Sequence, residues 1–148
     1  MINNLDIREA IIKDVEEIYL IEKSIFNEEP WTKKMIKSEL GTHNHKKTYL
    51  IMDNYNILGY LMIHFFQIEY HIINFGVKKE YQNKGIARYF LNFFLNKLPS
   101  NSTVFLEVKE SNFIAISLYK KLGFVKQYIR NNYYADGSNA INLFYRKK

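Results

Sequence analysis

Residues 70–98 constrain the fold of this 148-residue chain more than any other segment. Residues 70–77 are rich in apolar and aromatic side chains and predict a strand, and a polar turn containing Gly85 follows at once. An apolar face at helical spacing then predicts a helix over residues 84–98, which Pro99 ends. Such a turn exposes backbone N–H groups at the positive end of the helix dipole, so it suits an anionic ligand. Taken alone, the same pattern is also that of an ordinary strand-to-helix connection.

Strand and helix patterns continue on both sides of this segment. Strands are predicted over residues 5–10, 48–53, 57–67, 70–77, 103–108, 124–132 and 140–146. Helices are predicted from a cap at Asp14 to residue 25, from a cap at Thr32 to near Gly41, over 84–98, and from a cap at Ser111 to Leu122, with Gly123 left-handed beyond the last one. The apolar stripe of the first helix comprises Val15, Ile18, Tyr19, Ile21, Glu22 and Ile25. The order βααβββαβαββ predicts one α/β domain over residues 1–148, with a mixed, mostly antiparallel sheet flanked by helices.

Composition limits the class of protein. Hydrophobic residues make up 47% and charged residues 24% of the chain, which indicates a globular protein rather than a disordered one. No run approaches the roughly 18 apolar residues of a membrane span, and the first six residues lack the basic and apolar segments of a signal peptide. The absence of cysteine excludes disulfides and thiolate metal sites. We therefore expect a cytoplasmic protein with no membrane partner.

The net charge of +6 favours anionic partners only in general terms. Lysines are spread along the chain, so the charge describes either a solvated basic surface or one that attracts a polyphosphate or a ribosome-associated substrate. No recognised nucleic-acid motif accompanies it, and we expect no direct reading of nucleic acid. The four histidines, His43, His45, His64 and His71, form no metal-binding motif, so no metal site is expected.

Four stretches carry a family resemblance that spans nearly the whole chain. They are Pro-Trp-Thr at residues 30–32, Ile-Asn-Phe-Gly-Val at 73–77 through Ala87, Leu-Glu-Val-Lys-Glu-Ser-Asn at 106–112 through Leu-Gly-Phe at 122–124, and Ile-Arg-Asn-Asn-Tyr-Tyr at 129–134. Within the second stretch, Gln82, Gly85 and Ala87 match the pattern Gln/Arg-x-x-Gly-x-Gly/Ala. On these residues the chain resembles the GNAT superfamily of acetyl-CoA-dependent N-acetyltransferases, and more closely the bacterial ribosomal-protein-alanine N-acetyltransferase family.

The resemblance implies how acetyl-CoA is held. The main chain of Phe75, Gly76 and Val77 should bind the pantetheine arm, and Asn112 should contact the cofactor from the next helix. The pyrophosphate should lie in the loop formed by Asn83, Lys84, Gly85, Ile86, Ala87 and Arg88. The small side chains at two of these positions agree with that expectation, because they let a phosphate approach the backbone closely.

The resemblance also implies the catalytic residues, with Glu107 as the general base and Tyr119 as the general acid, and no covalent intermediate. Glu107 would take the proton of the acceptor amine, a backbone N–H around Val77 would stabilise the oxyanion, and Tyr119 would protonate the departing thiolate. The residues allow this, since Glu107 lies near the carboxyl end of its strand and Asn112 and Tyr119 are seven positions apart on one helix. Outside the family pattern, a glutamate in a strand is more often a solvated edge residue and a helical tyrosine more often part of the core.

The acceptor is less constrained. The resemblance implies a protein N-terminus, that of a ribosomal protein starting with alanine, bound near Trp31 and the pair Tyr133 and Tyr134. If the two tyrosines are extended, they point to opposite faces and at most one meets the substrate, while Trp31 can instead be a hydrophobic lid on the sheet. The loop after Tyr134 is shorter than is usual for the family and carries Asn139 where an acidic residue is common. A small-molecule amine or a lysine side chain is therefore an alternative acceptor, and a non-catalytic acyl-CoA-binding module is a further alternative.

Overall fold

The computed structural model describes residues 4–148 as a seven-stranded sheet with four α-helices. The strands are Leu5–Glu9 (β1), Lys46–Asp53 (β2), Asn56–Phe66 (β3), Glu69–Val77 (β4), Thr103–Lys109 (β5), Val125–Arg130 (β6) and Ala140–Arg146 (β7). The helices are Val15–Ile25 (α1), Lys33–Glu39 (α2), Ile86–Lys97 (α3) and Phe113–Lys121 (α4). Along the sheet the strands follow the order β1-β2-β3-β4-β5-β7-β6. β4 pairs parallel with β5, whereas the pairs β1–β2, β2–β3, β5–β7 and β6–β7 are antiparallel. The predicted order of elements and the predicted mixed, mostly antiparallel sheet are confirmed.

The chain divides into two compact units. The first unit is Met1–His64 together with Ile73–Leu91, and the second is Phe65–Ile72 together with Asn92–Lys148. A single domain over residues 1–148 remains a prediction, and its first three residues lie outside the described ones. None of the helices within residues 4–148 has the length and apolar character that a bilayer crossing requires.

In the first unit, α1 and α2 bury their apolar faces in one cluster with residues of β2 and β3. Its members Ile18, Ile21, Ile36 and Leu50 are at most 2% exposed. Full burial of a side chain of this size contributes about 1.5–3 kcal/mol, so the apolar stripe decides which side of each helix faces inward. Glu22 follows the same spacing and is also buried, at 1% exposed.

The two predicted helix caps in this unit have different outcomes. The Thr32 hydroxyl accepts the Met35 N–H at 3.1 Å, which confirms the cap on α2. Asp14 precedes α1, but its carboxylate makes no cap bond to that helix, so the predicted side-chain cap is wrong. It accepts instead the Ile11 N–H at 2.7 Å and two guanidinium nitrogens of Arg8, each at 2.9 Å. A forked, charge-assisted pair is stronger than a neutral bond to one backbone amide, which explains the preference.

In the second unit, β5, β7 and β6 form an antiparallel group. β5 alternates regularly between half-buried and buried residues, and Glu107 is one of the half-buried ones. β6 ends at Arg130 rather than at residue 132 as predicted. The chain turns there, and Asn132 has a left-handed φ of 53°, which an extended strand does not allow.

Candidate active site

The end of β4 in the first unit contains the residues predicted to hold the pantetheine arm. Lys78 N donates to the Leu58 carbonyl of β3 at 2.8 Å. Because successive N–H groups along a strand point to opposite sides, the N–H groups of Val77 and Phe75 face away from β3. The Asn74 Oδ1 already accepts the Phe75 N–H at 2.9 Å. On the side of β4 that faces away from β3, the main-chain N–H of Val77 is therefore the available donor, whereas the N–H of Phe75 is already bonded to Asn74 Oδ1.

Two glycines allow β3 and β4 to approach each other closely beside this point. A Cβ on Gly59 would lie 2.6 Å from the Gly76 carbonyl oxygen. A Cβ on Gly76 would lie 2.6 Å from the hydroxyl oxygen of Tyr60, a side chain that is fully buried. Only glycine fits at these positions without displacing a strand or a buried ring.

The loop after β4 contains two left-handed residues and leads directly into α3. Gln82 Nε2 donates to the Val77 carbonyl at 2.9 Å and fastens the start of the loop to the strand end. Asn83 and Gly85 are both left-handed, with φ of 60° and 80°, and a Cβ on Gly85 would meet nothing within 4 Å. Tyr89 N donates to the Gly85 carbonyl at 3.0 Å as α3 begins. The N–H groups of the first helical turn precede that bond, so they point outward and can bind an anion.

Side chains around this loop add positive charge to the backbone donors. Lys84 and Arg88 are exposed, and the Lys84 ammonium lies 5.8 Å from the centre of the Tyr81 ring. Ala87 is half-buried and Ile86, at 3% exposed, anchors the helix in the core. The arrangement suits a polyphosphate, because cations and the helix N-terminus attract the same charge.

Glu107, the predicted base, lies on β5 in the second unit with a side chain that is 23% exposed. Arg130 Nε is 2.7 Å from Glu107 Oε2, a buried oxygen that has no hydrogen-bond donor among residues 4–148. The contact is thus an ion pair in which the carboxylate keeps acceptor capacity. Arg130 also lies over two aromatic rings, 5.9 Å from the centre of Tyr128 and 5.3 Å from that of Tyr133.

Asn142 of β7 lies directly opposite Glu107 in the strand register. It is 5% exposed, and its Oδ1 is buried without a hydrogen-bond donor among residues 4–148. A buried acceptor of this kind is normally satisfied by a water molecule or a ligand. The sequence did not predict this hydrogen-bond acceptor, Asn142 Oδ1, opposite the predicted base, because a single Asn in an apolar strand forms no motif.

Asn112 caps α4, a role predicted for Ser111. Its Oδ1 accepts the Ala115 N–H at 3.2 Å, so the cap prediction was displaced by one residue. The helix ends as predicted, with Gly123 left-handed at φ 103°. Since Oδ1 is used by the cap, the Nδ2 group of Asn112 is the part that can meet a cofactor.

Tyr119, the predicted acid, is buried on α4 at 8% exposed, with its ring 5.7 Å from that of Phe124. Burial raises the pKa of the Tyr119 phenol well above its usual range, and the neighbouring Tyr134 raises it further. Burial, followed by the charge of Glu107, raises the pKa of Tyr134 to about 12. Electrostatic interactions therefore connect three groups of the second unit: Glu107 acts on Tyr134, and Tyr134 acts on Tyr119.

The aromatic residues predicted for the acceptor differ in their surroundings. Tyr133 is 51% exposed and Tyr134 half-buried, and their rings meet edge to face at 5.1 Å. Both lie in the segment between β6 and β7 rather than in a strand, so the opposite-face rule for an extended pair does not apply to them. Trp31, in the first unit, packs partly buried against the cluster of α1 and α2, and its main-chain N–H donates to Glu22 Oε2 at 2.9 Å. Its packing agrees with the hydrophobic-lid interpretation, and its substrate contact stays a prediction.

The site residues thus fall into two sets. The first unit holds the end of β4, the loop after it and Trp31, and the second holds Glu107, Asn112, Tyr119, Tyr133 and Tyr134. Across residues 4–148, no three His, Asp or Glu side chains come close enough to hold a metal ion. Arg130, Asn142 and Glu22 were not singled out from the sequence, although a carboxylate at an apolar position of a helix stripe was a signal for the last.

Comparison with known proteins adds a family to this geometry. Residues 12–124 match the Acetyltransferase (GNAT) family. The chain is 34% identical over 118 residues to the [ribosomal protein bS18]-alanine N-acetyltransferase of Haemophilus ducreyi, and the match covers 76% of this chain and 80% of that relative.

Solved structures give the same result for the fold. The ribosomal-protein-S18-alanine N-acetyltransferase from Escherichia coli superimposes with a TM-score of 0.86 at 27% identity, over 97% of this chain and 94% of that one. Arabidopsis thaliana NAA60 in complex with acetyl-CoA superimposes with a TM-score of 0.81 over 97% of this chain and 98% of that one. At 16% identity, the second likeness concerns the fold alone.

Proposed function

We propose that this chain, which belongs to the GNAT acetyltransferase family, transfers the acetyl group of acetyl-CoA to the N-terminal amine of a protein. We further propose that the acceptor is a cytoplasmic ribosomal protein starting with alanine, and that residues 1–148 act as one domain. The observation that supports this choice of acceptor is the similarity to [ribosomal protein bS18]-alanine N-acetyltransferases, at 34% identity over 118 residues for the Haemophilus ducreyi enzyme.

The energetics of deprotonation favour the same acceptor. A free α-amino group has a pKa of about 7.7–8.0 and a lysine one of about 10.4. At about pH 7.4, removing the proton costs roughly 0.5 kcal/mol for the first amine and roughly 4 kcal/mol for the second. A single carboxylate is sufficient for an N-terminal amine, and no second group that would lower the pKa of a lysine has to be assumed.

The proposed cofactor contacts lie at the end of β4, in the loop after it and at the start of α4. The proposed residues are Phe75, Gly76, Val77, Asn83, Lys84, Gly85, Ile86, Ala87, Arg88 and Asn112. When bound, acetyl-CoA supplies an activated thioester carbonyl. The Val77 N–H is the proposed donor to the negative charge that develops on the carbonyl oxygen, and its direction away from β3 supports this role. The outward N–H groups of the first turn of α3 support the assignment of the pyrophosphate to this loop.

Glu107 is the proposed general base. It accepts the proton of the acceptor amine as the nitrogen attacks the carbonyl carbon, either directly or through a water molecule. Its partial exposure supports this role, because a carboxylate with one ion-pair partner keeps further lone pairs that can accept a proton. The buried Oδ1 of Asn142 on the opposite strand is a second acceptor at which such a water can be held.

Tyr119 is the proposed acid, and its raised pKa defines what it can do. The phenol stays protonated throughout the physiological range, so its O–H is available as the carbon–sulfur bond breaks. A thiol has a pKa of about 8.5, so complete transfer of the proton from this phenol to the sulfur is uphill. Tyr119 therefore acts chiefly by donating a hydrogen bond to the departing sulfur, and its removal should be less harmful than that of Glu107.

Steady-state kinetics with an alanine-starting peptide test these roles. We expect Glu107→Gln to lower kcat by about 10²–10⁴-fold, the usual contribution of a general base. Tyr119→Phe should lower it by about tenfold, equivalent to one hydrogen bond. Glu110→Gln is the matched control, because Glu110 is an exposed acid just beyond β5, and its rate should stay near that of the wild type. Wild-type rates in both Glu107→Gln and Tyr119→Phe would remove the mechanism.

The acceptor is tested by competition. The enzyme is given acetyl-CoA with three acceptors: a free alanine peptide, the same peptide with a blocked N-terminus and one lysine, and a small diamine. We expect the free peptide to be acetylated first, and mass spectrometry of cellular N-termini with and without the protein should show the same acceptor. Faster turnover of the blocked peptide or the diamine would replace the N-terminal acceptor. Coenzyme A binding without turnover of any amine would favour a non-catalytic module.

A further inference from the structure

Glu22 is a buried carboxylate that the catalytic proposal does not use. It lies on α1, in the first unit, and is 1% exposed. A buried carboxylate is retained only when hydrogen bonds or charges replace its hydration, so its partners indicate what it is held for.

Three donors from separate parts of the first unit converge on the two oxygens of Glu22. The Tyr60 hydroxyl and Asn74 Nδ2 donate to Oε1 at 2.5 and 2.7 Å. The main-chain N–H of Trp31 donates to Oε2 at 2.9 Å. The carboxylate thus contacts a buried tyrosine of β3, a residue of β4 and the loop between α1 and α2 that carries Trp31, here called the Trp31 loop.

The contact with β4 reaches the proposed cofactor strand. Asn74 donates to Glu22 with its Nδ2 and accepts the Phe75 N–H with its Oδ1 at 2.9 Å. An unbroken series of hydrogen bonds therefore runs from the main chain of Trp31 through Glu22 and Asn74 to the main chain of Phe75. One end lies in the proposed acceptor loop and the other in the strand proposed to hold pantetheine.

We propose that Glu22 is a positioning residue that fixes the Trp31 loop to β4, so that a cofactor bound along β4 changes the mobility of the Trp31 loop. The proposal rests on the proposed function in one respect, the assignment of β4 to the cofactor. Because a carboxylate only accepts, the substitution Glu22→Gln would turn an amide N–H₂ toward one of the three donors while keeping the size of the side chain.

Trp31 is the only tryptophan of the chain, so its fluorescence reports on the loop without a label. We would measure quenching of Trp31 by acrylamide in the whole protein, with and without coenzyme A, and the affinity for coenzyme A by calorimetry. In the wild type, saturating coenzyme A should lower the quenching constant. Neither measurement involves an acceptor, so the result does not depend on which amine the enzyme uses.

Two substitutions separate the two ends of the series. In Glu22→Gln, the quenching constant without ligand should rise about twofold or more, because a loop that loses one hydrogen bond opens about tenfold more often. In Asn74→Ala, the bond from Trp31 to Glu22 remains, so the quenching constant without ligand should equal that of the wild type while its response to coenzyme A is lost. Glu17→Gln, an exposed substitution on the same helix, is the control and should behave as the wild type.

The outcomes are distinct. Wild-type quenching and a wild-type response to coenzyme A in Glu22→Gln would overturn the proposal, as would a wild-type Trp31 that does not respond to bound coenzyme A. If Glu22→Gln does not fold, Asn74→Ala alone decides, and an unchanged response in that half-buried position overturns the coupling. Failure of the wild type to bind coenzyme A would refute the cofactor assignment, whereas the ligand-free comparison would still test the attachment of the loop.

Discussion

Gly59→Ala probes the close approach of β3 and β4 on which the geometry of the β4 end depends. The new Cβ would lie 2.6 Å from the Gly76 carbonyl oxygen and 3.3 Å from the Val77 Cα. Carbon and oxygen atoms of neighbouring strands normally stay at least about 3.3 Å apart, so β4 must move by roughly 0.7 Å. No rotamer change relieves a contact with a backbone atom, and we expect the upper end of the overpacking range, about 3 kcal/mol. For a chain of this length that is a loss of about 6–12 °C in Tm.

The same displacement should reduce activity in the protein that remains folded. Val77, whose N–H is the proposed oxyanion donor, follows the displaced carbonyl directly. Since a misplacement of about 1 Å can lower a rate by about 10²-fold, a shift of roughly 0.7 Å should lower kcat by about tenfold. The assays are urea unfolding followed by circular dichroism, and steady-state acetylation well below the Tm of the variant.

Gly85→Ala is the contrasting variant for this test. A Cβ there meets nothing within 4 Å, but φ is 80°, so only the left-handed strain of about 1–2 kcal/mol is added. Gly85→Asn should recover part of that loss, because Asn tolerates this conformation. A Gly59→Ala protein whose free energy of unfolding lies within about 0.5 kcal/mol of the wild type, the range of a neutral surface change, would refute the steric reasoning.

Two further predictions concern a charge pair and the loop after β4. The pKa of Asp14 is lowered, chiefly by its hydrogen bond with Arg8, so this carboxylate stabilises the fold above its unfolded pKa of about 3.9 and loses that effect as the pH falls through the lower folded value. Asp14→Asn should therefore lower the free energy of unfolding in urea by about 1–2 kcal/mol at neutral pH, after allowance for the partial exposure of Arg8. Near pH 2 the substitution should have little effect. An equal loss at both pH values would contradict this reasoning. Gln82→Ala removes the side-chain bond to the Val77 carbonyl, and we expect about tenfold weaker binding of coenzyme A by calorimetry, because one lost hydrogen bond frees the loop. Gln82→Glu, which sets an acceptor against that carbonyl, should bind no better than Gln82→Ala, and wild-type affinity in both would show that the bond does not shape the loop.

The elements and the loop could be predicted because their signals are local. Thr32 caps a helix within three residues, Gly85 and Gly123 meet the steric demand of a left-handed position, and apolar spacing fixes each strand and helix to within a few residues. The family resemblance then supplied roles for Glu107 and Tyr119 at their spacing. Such inferences use only near neighbours or a recognised pattern, so they do not depend on how distant segments meet.

Local signals failed where a competing partner or the path of the backbone decided the outcome. Asp14 has the spacing of a cap, but the Arg8 guanidinium offers its carboxylate a stronger pair. Asn112 replaces Ser111 at the start of α4, since either residue type can cap and only the backbone path decides which one does. Tyr133 and Tyr134 belong to a turn because β6 ends at Arg130.

The sequence by itself determined the order of strands and helices, the glycine loop after β4 and the resemblance to the GNAT family. Only the tertiary structure decided what surrounds each group to which a reacting or positioning role is proposed. The donors to Glu22 lie 9, 38 and 52 positions away along the chain, a spacing that no local pattern encodes. The ion pair of Glu107 with Arg130 and the buried acceptor of Asn142 likewise arise between strands. Burial makes such distant partners decisive, because a polar group removed from water must find its hydrogen bonds wherever the fold brings them.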